Sequence, residues 1–529
     1  MSDAPRPPRS EPTRAEWLTL VGLTLVFVAA HLRTLAFGFV WDDHAMIGEN
    51  AYLEGPFAAG LRVSNHAHLG VRYADAFLPE YDSWRPLLFA SNYLDRALFG
   101  RAEGLPHLTS MLLGVLALWA AHWFLREWGL GARLRVCGAA VLVLHPVSAE
   151  VIGYLSGRGD LLAGIAMLAA CAALLRGLRA GPSARFWPAL AVGFYLLSLS
   201  AKEAYLFVPL ALAVRALQLR APRRYAGVLI ACAAVALAWW SVRARIAPTN
   251  GGQAARAVSG LGPELLQYAR VLVMPFDCSV VRPAASSSLL VTALVVAGYG
   301  VLLLLALRRR HGRAADILAA ASWFAVSLGP STIAAQVTQV ASDRYAFLAL
   351  LCLPLLAAAW SASWQRASAF LRGTLVALAV LWSSVLAVVG QLQLSTFRDD
   401  RALYMNAVNL EPESAGAWFG LGHVVVEAEG CAQAEPLFQR ALSLDPRHVR
   451  ALNNAGVCAL RRGDLPEAER AFRRVLELSK GVHPRAWSNL AQIHLQEGKR
   501  EEACTELERA MQIDVGATTV RALHARFCR

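Results

Sequence analysis

The chain has 529 residues, of which 56% are hydrophobic and only 17% charged, with a formal net charge of +13. Soluble domains carry about 25% charged residues, so most of this sequence cannot be an aqueous globule and reads as a chain solvated by lipid. The positive charge does not indicate nucleic-acid binding, because most basic residues fall in short gaps between apolar runs, the pattern that sets orientation in a membrane.

In chain order, residues 1–15 read as a cytoplasmic tail, with Arg6, Arg9 and Arg14 ahead of the first apolar run. No convincing small-x-small cleavage site follows that run, so it reads as a signal anchor and not as a cleaved signal peptide. Residues 16–395 are expected to hold about eleven spans of roughly 17–25 residues. They centre near Val26, Val115, Val141, Ala166, Val192, Leu210, Val235, Ala297, Phe324, Leu351 and Ala379. With the N-terminus inside, alternate loops carry the arginines (Arg126, Arg133 and Arg135; Arg176, Arg179 and Arg185; Arg215 and Arg220 to Arg224; Arg308 to Arg313; Arg366 and Arg372). The opposite loops carry nearly all the acidic residues of this region, and an odd number of spans puts the C-terminal tail on the same, non-cytoplasmic side as the first loop.

That first outer loop, residues 37–106, opens with "FGFVWDDHAMIGEN", placing Asp42, Asp43 and His44 directly after a span, and later carries "YDSWRPL" with Arg85. The next outer segments are "LHPVSAEVIGYLSGRGDLLAG", with His145, Glu150, Arg158 and Asp160; "SLSAKEAYLFVP", with Lys202 and Glu203; and "TQVASDRYAF", with Asp343 and Arg344. Lys202 is the sole lysine of the membrane region, one of three lysines against 48 arginines in the chain. Lys202 and Glu203 sit between apolar runs that leave no room for a wet loop. Charges at a membrane border are costly unless paired, lining a cavity or used chemically. A cluster of Arg85, Arg158, Lys202 and Arg344 at one face has the chemistry to grip a phosphate, through planar guanidinium forks and one ammonium point charge. Of the carboxylates, Asp42 or Asp43 could accept the proton of an attacking hydroxyl, with Asp42 the favoured base and Asp43 orienting it. His44, Glu150, Asp160, Glu203 and Asp343 are expected to support them. His145, before Pro146 at a helix end, reads as a structural cap, and Trp239 and Trp240 as interface-belt aromatics. No zinc-type Cys/His spacing occurs; the Asp pair could hold a divalent cation, though no further ligand set joins it.

Residues 396–529 are charged and poor in long apolar runs. Three segments repeat at a spacing of about 34 residues, with bounds near 415–448, 449–483 and 484–517. Large residues recur at Trp418, Leu452 and Trp487, small ones at Gly422, Gly456 and Ala491, and then Ala434, Ala468 and Ala503. This periodicity resembles the tetratricopeptide repeat, a helix–turn–helix unit that buries its apolar face only by stacking. "DDRALYMNAVNLEPE" resembles the second helix of a truncated earlier unit. Cys278, Cys431, Cys458, Cys504 and Cys528 would face an oxidising space in which disulfides form, with the pairing open. Cys137, Cys171, Cys232 and Cys352 lie in apolar runs as core residues.

The motifs "FVWDDHAMIGEN", "SWRPL", "LPHLTSMLLGVLAL", "LHPVSAEVIGYLSGRGDLLAG", "SLSAKEAYLFVPL" and "ASDRYAFL" occur in the order seen in the transmembrane and tetratricopeptide-repeat protein O-mannosyltransferases. The resemblance implies an all-α protein: a polytopic bundle of the GT-C glycosyltransferase class followed by an α-solenoid of tetratricopeptide repeats. It also implies a membrane enzyme that uses a polyprenyl-phosphate-linked sugar as donor, and the abundance of Arg and Ala over Lys points to a bacterial inner membrane. An acidic residue of the first outer loop, matched here by Asp42/Asp43, would be the base, and Ser or Thr of protein the acceptor. A non-catalytic membrane-anchored repeat scaffold, or a related enzyme glycosylating lipid or polysaccharide, are the competing readings.

Overall fold

The computed structural model describes residues 11–63, 83–180, 185–219, 221–246, 254–278, 282–308, 312–338, 340–513 and 518–528. Tyr81 and Asp82 of the first outer loop, residues 1–10 of the tail and the end of the third expected repeat lie outside them. The chain divides into two compact units at Asp399/Asp400.

The regular structure among the described residues of the first unit is helical, apart from one antiparallel pairing of Arg282–Pro283 with Val340–Ala341. Six of its described helices are long and apolar enough to cross a bilayer. These are Arg14–Ala36, Pro106–Trp128, Leu155–Ala180, Pro222–Ile246, Arg313–Gln336 and Ala369–Ser395. A seventh span is a broken pair, Ala132–Leu144 and Pro146–Gly153, bent by 57°. Pro146 has no N–H and disfavours a helical residue before it, so His145 is extended and caps the second half, its Nδ1 accepting from the Val147 N–H. Phe186–Ala201 and Leu289–Leu305 are apolar but shorter. The unit is therefore a multi-pass membrane protein.

Besides this broken pair, two of the eleven expected spans are not continuous helices. Near Leu210 the chain runs through 3-10 turns at Glu203–Tyr205 and Val208–Leu212 before the short helix Ala213–Gln218. Near Leu351 it runs through Asp343–Ala346 and Leu348–Leu351 into Cys352–Ala359. Irregular backbone is tolerated at membrane depth only where protein covers it. Leu348, Ala349, Leu350 and Leu351 are all fully buried, and so are Val208, Ala211 and Leu212. Hydropathy alone cannot separate such covered segments from spans. The helix beginning at Arg158 lies at the centre, with 83% of its most apolar window buried, whereas only 6% of the corresponding window of Ala369–Ser395 is buried.

The second unit consists of paired helices. Asp400–Leu410 precedes three pairs: Ala415–Ala428 with Cys431–Leu444, Val449–Arg462 with Leu465–Leu478, and Pro484–Gln496 with Arg500–Ile513. Thr518–Phe527 follows them. Side chains cap the first helix of each pair: Ser414, His448 and His483 accept from the N–H of Ala417, Ala451 and Ala486. The small residues are where a side chain would not fit. A Cβ on Gly422 would lie 2.7 Å from the Phe438 ring, and one on Gly456 2.9 Å from the Phe472 ring. Disulfides join Cys431 to Cys458, across two repeats, and Cys504 to Cys528, with Cα–Cα distances of 5.2 and 5.6 Å.

Candidate active site

Of the residues the sequence assigns to one membrane face, Asp42, Arg85, Glu150, Asp160, Lys202, Glu203 and Arg344 gather into one cluster. Asp42 and Asp43 lie in the turn that follows the first helix. Arg85 immediately precedes Pro86–Phe99, Asp160 lies in the first turn of Arg158–Ala180, Lys202 follows Phe186–Ala201, and Arg344 sits in the 3-10 turn Asp343–Ala346.

Arg344 is held by two acids. Its Nη1 lies 2.5 Å from Glu150 Oε1, and its Nε 3.3 Å from Asp160 Oδ2. The Ser342 hydroxyl donates to the same Glu150 oxygen at 2.8 Å. Lys202 donates to Asp160 Oδ2 at 2.7 Å and lies 4.6 Å over the Tyr345 ring. The Arg344 guanidinium stands 5.5 Å over Tyr154 and 5.3 Å over Tyr345. Beside this group, Glu203 lies between two guanidiniums, 3.5 Å from Arg85 Nε and 3.5 Å from Arg243 Nη2. Four cations and four carboxylates, counting Asp42, thus meet where helix ends converge.

The two adjacent aspartates have different surroundings. Asp43 is fully buried. Its Oδ1 accepts from both the N–H and the O–H of Ser156, at 2.7 and 2.6 Å, and its Oδ2 from the Val40 N–H at 3.4 Å. Asp42 Oδ1 is buried with no hydrogen-bond partner among the described residues. Burial raises the Asp42 carboxyl from 3.8 to about 6, opposed by the positive charges of Arg344, Arg85 and Lys202. Burial and then the neighbouring Asp42 charge raise Asp43 to about 7, opposed by Ser156. Burial likewise lowers Lys202 to about 8, opposed by Asp160. The phenol oxygens of Tyr154 and Tyr205 and Asp160 Oδ1 also lack hydrogen-bond partners among the described residues. A buried carboxylate oxygen with an open lone pair can take a proton from a hydroxyl, and unmatched polar atoms in a cluster of cations can receive an anionic group.

Arg158, expected at the phosphate, is placed elsewhere, and this corrects the sequence reading. It is wholly buried and saturated: Nη1 lies 2.5 Å from Asp95 Oδ2, Nε bonds Ser110 at 3.1 Å, and Nη2 bonds the Pro106 carbonyl at 2.8 Å. It ties Arg158–Ala180 to Pro86–Phe99 and Pro106–Trp128. Asp343 is likewise turned into a separate network, accepting from Arg282 Nε at 2.9 Å, while Arg282 Nη2 reaches Glu264 at 2.7 Å. The His44 ring packs edge-on against Phe39, with centroids 6.2 Å apart. Glu150, Asp160 and Glu203 stand among the cations. His145 is a cap. Among the described residues, no group of three or more His, Cys, Asp or Glu is placed to hold a metal ion.

Sequence reasoning missed Arg243, buried near the end of Pro222–Ile246. The rule that singled out Lys202, a charge at the outer end of an apolar run, would have found it. It also missed Ser156, for which no such signal exists, because a serine between Leu155 and Gly157 is unremarkable until its partner is known.

The fold defines a multi-pass helical membrane protein that carries a tetratricopeptide array. Residues 419–483 and 459–527 match the tetratricopeptide-repeat family. Protein O-mannosyl-transferase Tmtc1 of Drosophila melanogaster is 31% identical over 154 residues, 28% of this chain and 17% of that protein. This bears out the resemblance carried by the motifs. The tetratricopeptide repeat-containing protein trd-1 of Caenorhabditis elegans is 25% identical over 108 residues, 20% of this chain and 14% of that one. The chain thus aligns with under a fifth of the length of either relative. The crystal structure of ArnT from Cupriavidus metallidurans bound to undecaprenyl phosphate aligns over 87% of this chain and 80% of its own, with a TM-score of 0.44 and 17% identity.

Proposed function

We propose that this protein is an integral membrane glycosyltransferase that moves a mannose-like sugar from a polyprenyl-phosphate donor to a Ser or Thr hydroxyl of protein. The reaction takes place on the non-cytoplasmic face, by single displacement with inversion. The observation that carries the proposal is the environment of Asp42: one buried carboxylate oxygen without a hydrogen-bond partner among the described residues, in the field of Arg344, Arg85 and Lys202 from three separate parts of the chain.

In this reading the donor's phosphate meets Lys202, Arg344 and Arg85, while its prenyl chain lies in lipid. Asp42, ionised, accepts the acceptor's hydroxyl proton as the oxygen attacks the anomeric carbon. The bond from that carbon to the phosphate oxygen breaks, and its electron pair leaves with the phosphate. Fixed cations stabilise that charge as it grows, at no reorganisation cost during the reaction. The tetratricopeptide unit presents the acceptor polypeptide. Arg158 holds the scaffold and does not touch the donor.

The test is transfer of labelled sugar from a polyprenyl-phosphate donor to acceptor protein by the purified full chain in proteoliposomes. Asp42→Asn should abolish it. Full activity in both Asp42→Asn and Asp43→Asn would end the catalytic reading and leave an anchored repeat scaffold.

A further inference from the structure

The turn that carries Asp42 is strained. Trp41 has φ +52°, in the left-handed region, which is costly for an aromatic residue without local help. A turn of this kind persists only where its surroundings hold it. Three contacts do so. The Asp43 N–H closes onto the Val40 carbonyl at 3.0 Å. The Trp41 indole stacks on Tyr154 with centroids 6.1 Å apart and planes 18° apart. The Asp43 carboxylate takes both donors of Ser156, its N–H and its hydroxyl. Two of these anchors lie within three residues of each other, in Tyr154–Ser156.

The same short stretch also sets the cations. Glu150, four residues before Tyr154, holds Arg344; Asp160, four residues after Ser156, holds both Lys202 and Arg344. The bend between Pro146–Gly153 and Arg158–Ala180 therefore fixes the acid turn and the basic groups to one frame. Asp42 makes no side-chain hydrogen bond through its buried oxygen among the described residues, so its direction depends on the residues on either side. Of the two anchors, the Ser156–Asp43 contact is the shorter and more directional, being a charge-assisted double hydrogen bond to one oxygen.

We propose that Ser156 is a positioning residue for the glycosyl transfer: by donating twice to Asp43 it locks the Trp41–Asp43 turn so that the Asp42 carboxylate points at the cation cluster. This rests on the reading of Asp42 as the base. Ser156 touches neither donor nor acceptor. Its loss leaves the cations in place, because Glu150 and Asp160 hold them independently, so donor binding is retained while proton acceptance fails.

The experiment measures kcat and donor KM for the full chain in proteoliposomes with Ser156→Ala, Ser156→Thr and, as reference, Asp42→Asn, each with its thermal unfolding midpoint. Ser156→Ala is expected to lower kcat roughly 10- to 100-fold, the loss of one hydrogen bond to a charged group acting on base orientation, with donor KM within about twofold. Ser156→Thr, which keeps the hydroxyl, should restore most of kcat. Wild-type kcat in Ser156→Ala beside an inactive Asp42→Asn overturns the positioning role alone. So does a fall in kcat of equal size in both Ser156 variants with a matching drop in unfolding midpoint, which marks a packing role. Full activity of Asp42→Asn overturns the parent reading and this inference with it.

Discussion

Replacing Asp42 with asparagine separates a catalytic carboxylate from a structural one, because the structure gives opposite signs for activity and stability. The wild-type carboxyl is raised from 3.8 to about 6 by burial, against the pull of Arg344, Arg85 and Lys202. A folded-state value above the unfolded one means the ionised group destabilises the fold. The penalty is absent below pH 3.8, grows as pH rises through 6, and is complete above it; at about two pKa units it amounts to roughly 3 kcal/mol at most. Asparagine keeps the shape and carries no charge at any pH. The variant should therefore unfold no earlier than wild type at pH 8, and any advantage it has should fade as pH falls from 6 toward 4. Its activity should nevertheless drop by about 10²- to 10⁴-fold, the usual contribution of a positioned general base. Transfer of labelled sugar to acceptor protein, alongside thermal unfolding of the same preparations in detergent, checks both. Retained activity refutes the assignment of the base. Lost activity with a lower unfolding midpoint at pH 8 refutes the electrostatic argument, since it would mean the ionised carboxylate was holding the fold together.

The same reasoning sets a pH profile: the base must be ionised, so kcat/KM should fall as pH drops from about 7 to about 6, where burial places the coupled Asp42/Asp43 pair, and a flat profile there would count against it. Lys202→Met removes the ammonium held by Asp160 at 2.7 Å and should cost roughly 10- to 100-fold in kcat/KM for the lipid-phosphate donor, read by varying donor concentration. Arg158→Ala leaves Asp95 buried without its cation and should cost about 3–5 kcal/mol of stability, seen as loss of monodisperse protein on size exclusion. Reducing Cys431–Cys458 and Cys504–Cys528, which close segments of 27 and 24 residues, should remove about 3.5 kcal/mol each by loop entropy. The readout is a lower unfolding transition for the repeat unit on adding dithiothreitol.

The features legible in sequence and those hidden from it divide along a physical line. Periodicity and composition report what a segment must be solvated by, and so the apolar runs and the 34-residue repeat were readable, down to Gly422 and Gly456, where a side chain would meet Phe438 or Phe472. The cost of a charge at a membrane border is likewise a property of one residue and its neighbours, and it marked Lys202 and Glu203 as unusual. That cost does not name the partner that offsets it. Arg158 and Lys202 look alike in the sequence, yet one is closed off by Asp95, Ser110 and a carbonyl of Pro106, while the other stands with Arg344 around Asp160. The distinction between Asp42 and Asp43 is of the same kind. It depends on Ser156, 113 residues beyond Asp43, supplying two donors to one of the pair and none to the other. Broken spans follow the same logic: the segments around Leu210 and Leu351 are as apolar as true spans, and only the protein packed over them permits their irregular backbone. A single sequence thus shows where free energy is spent on burying charge; whether that charge is neutralised for structure or left open for chemistry is decided by contacts made across the fold, and the proposal of Asp42 as the base rests on one buried oxygen that has no hydrogen-bond partner among the described residues.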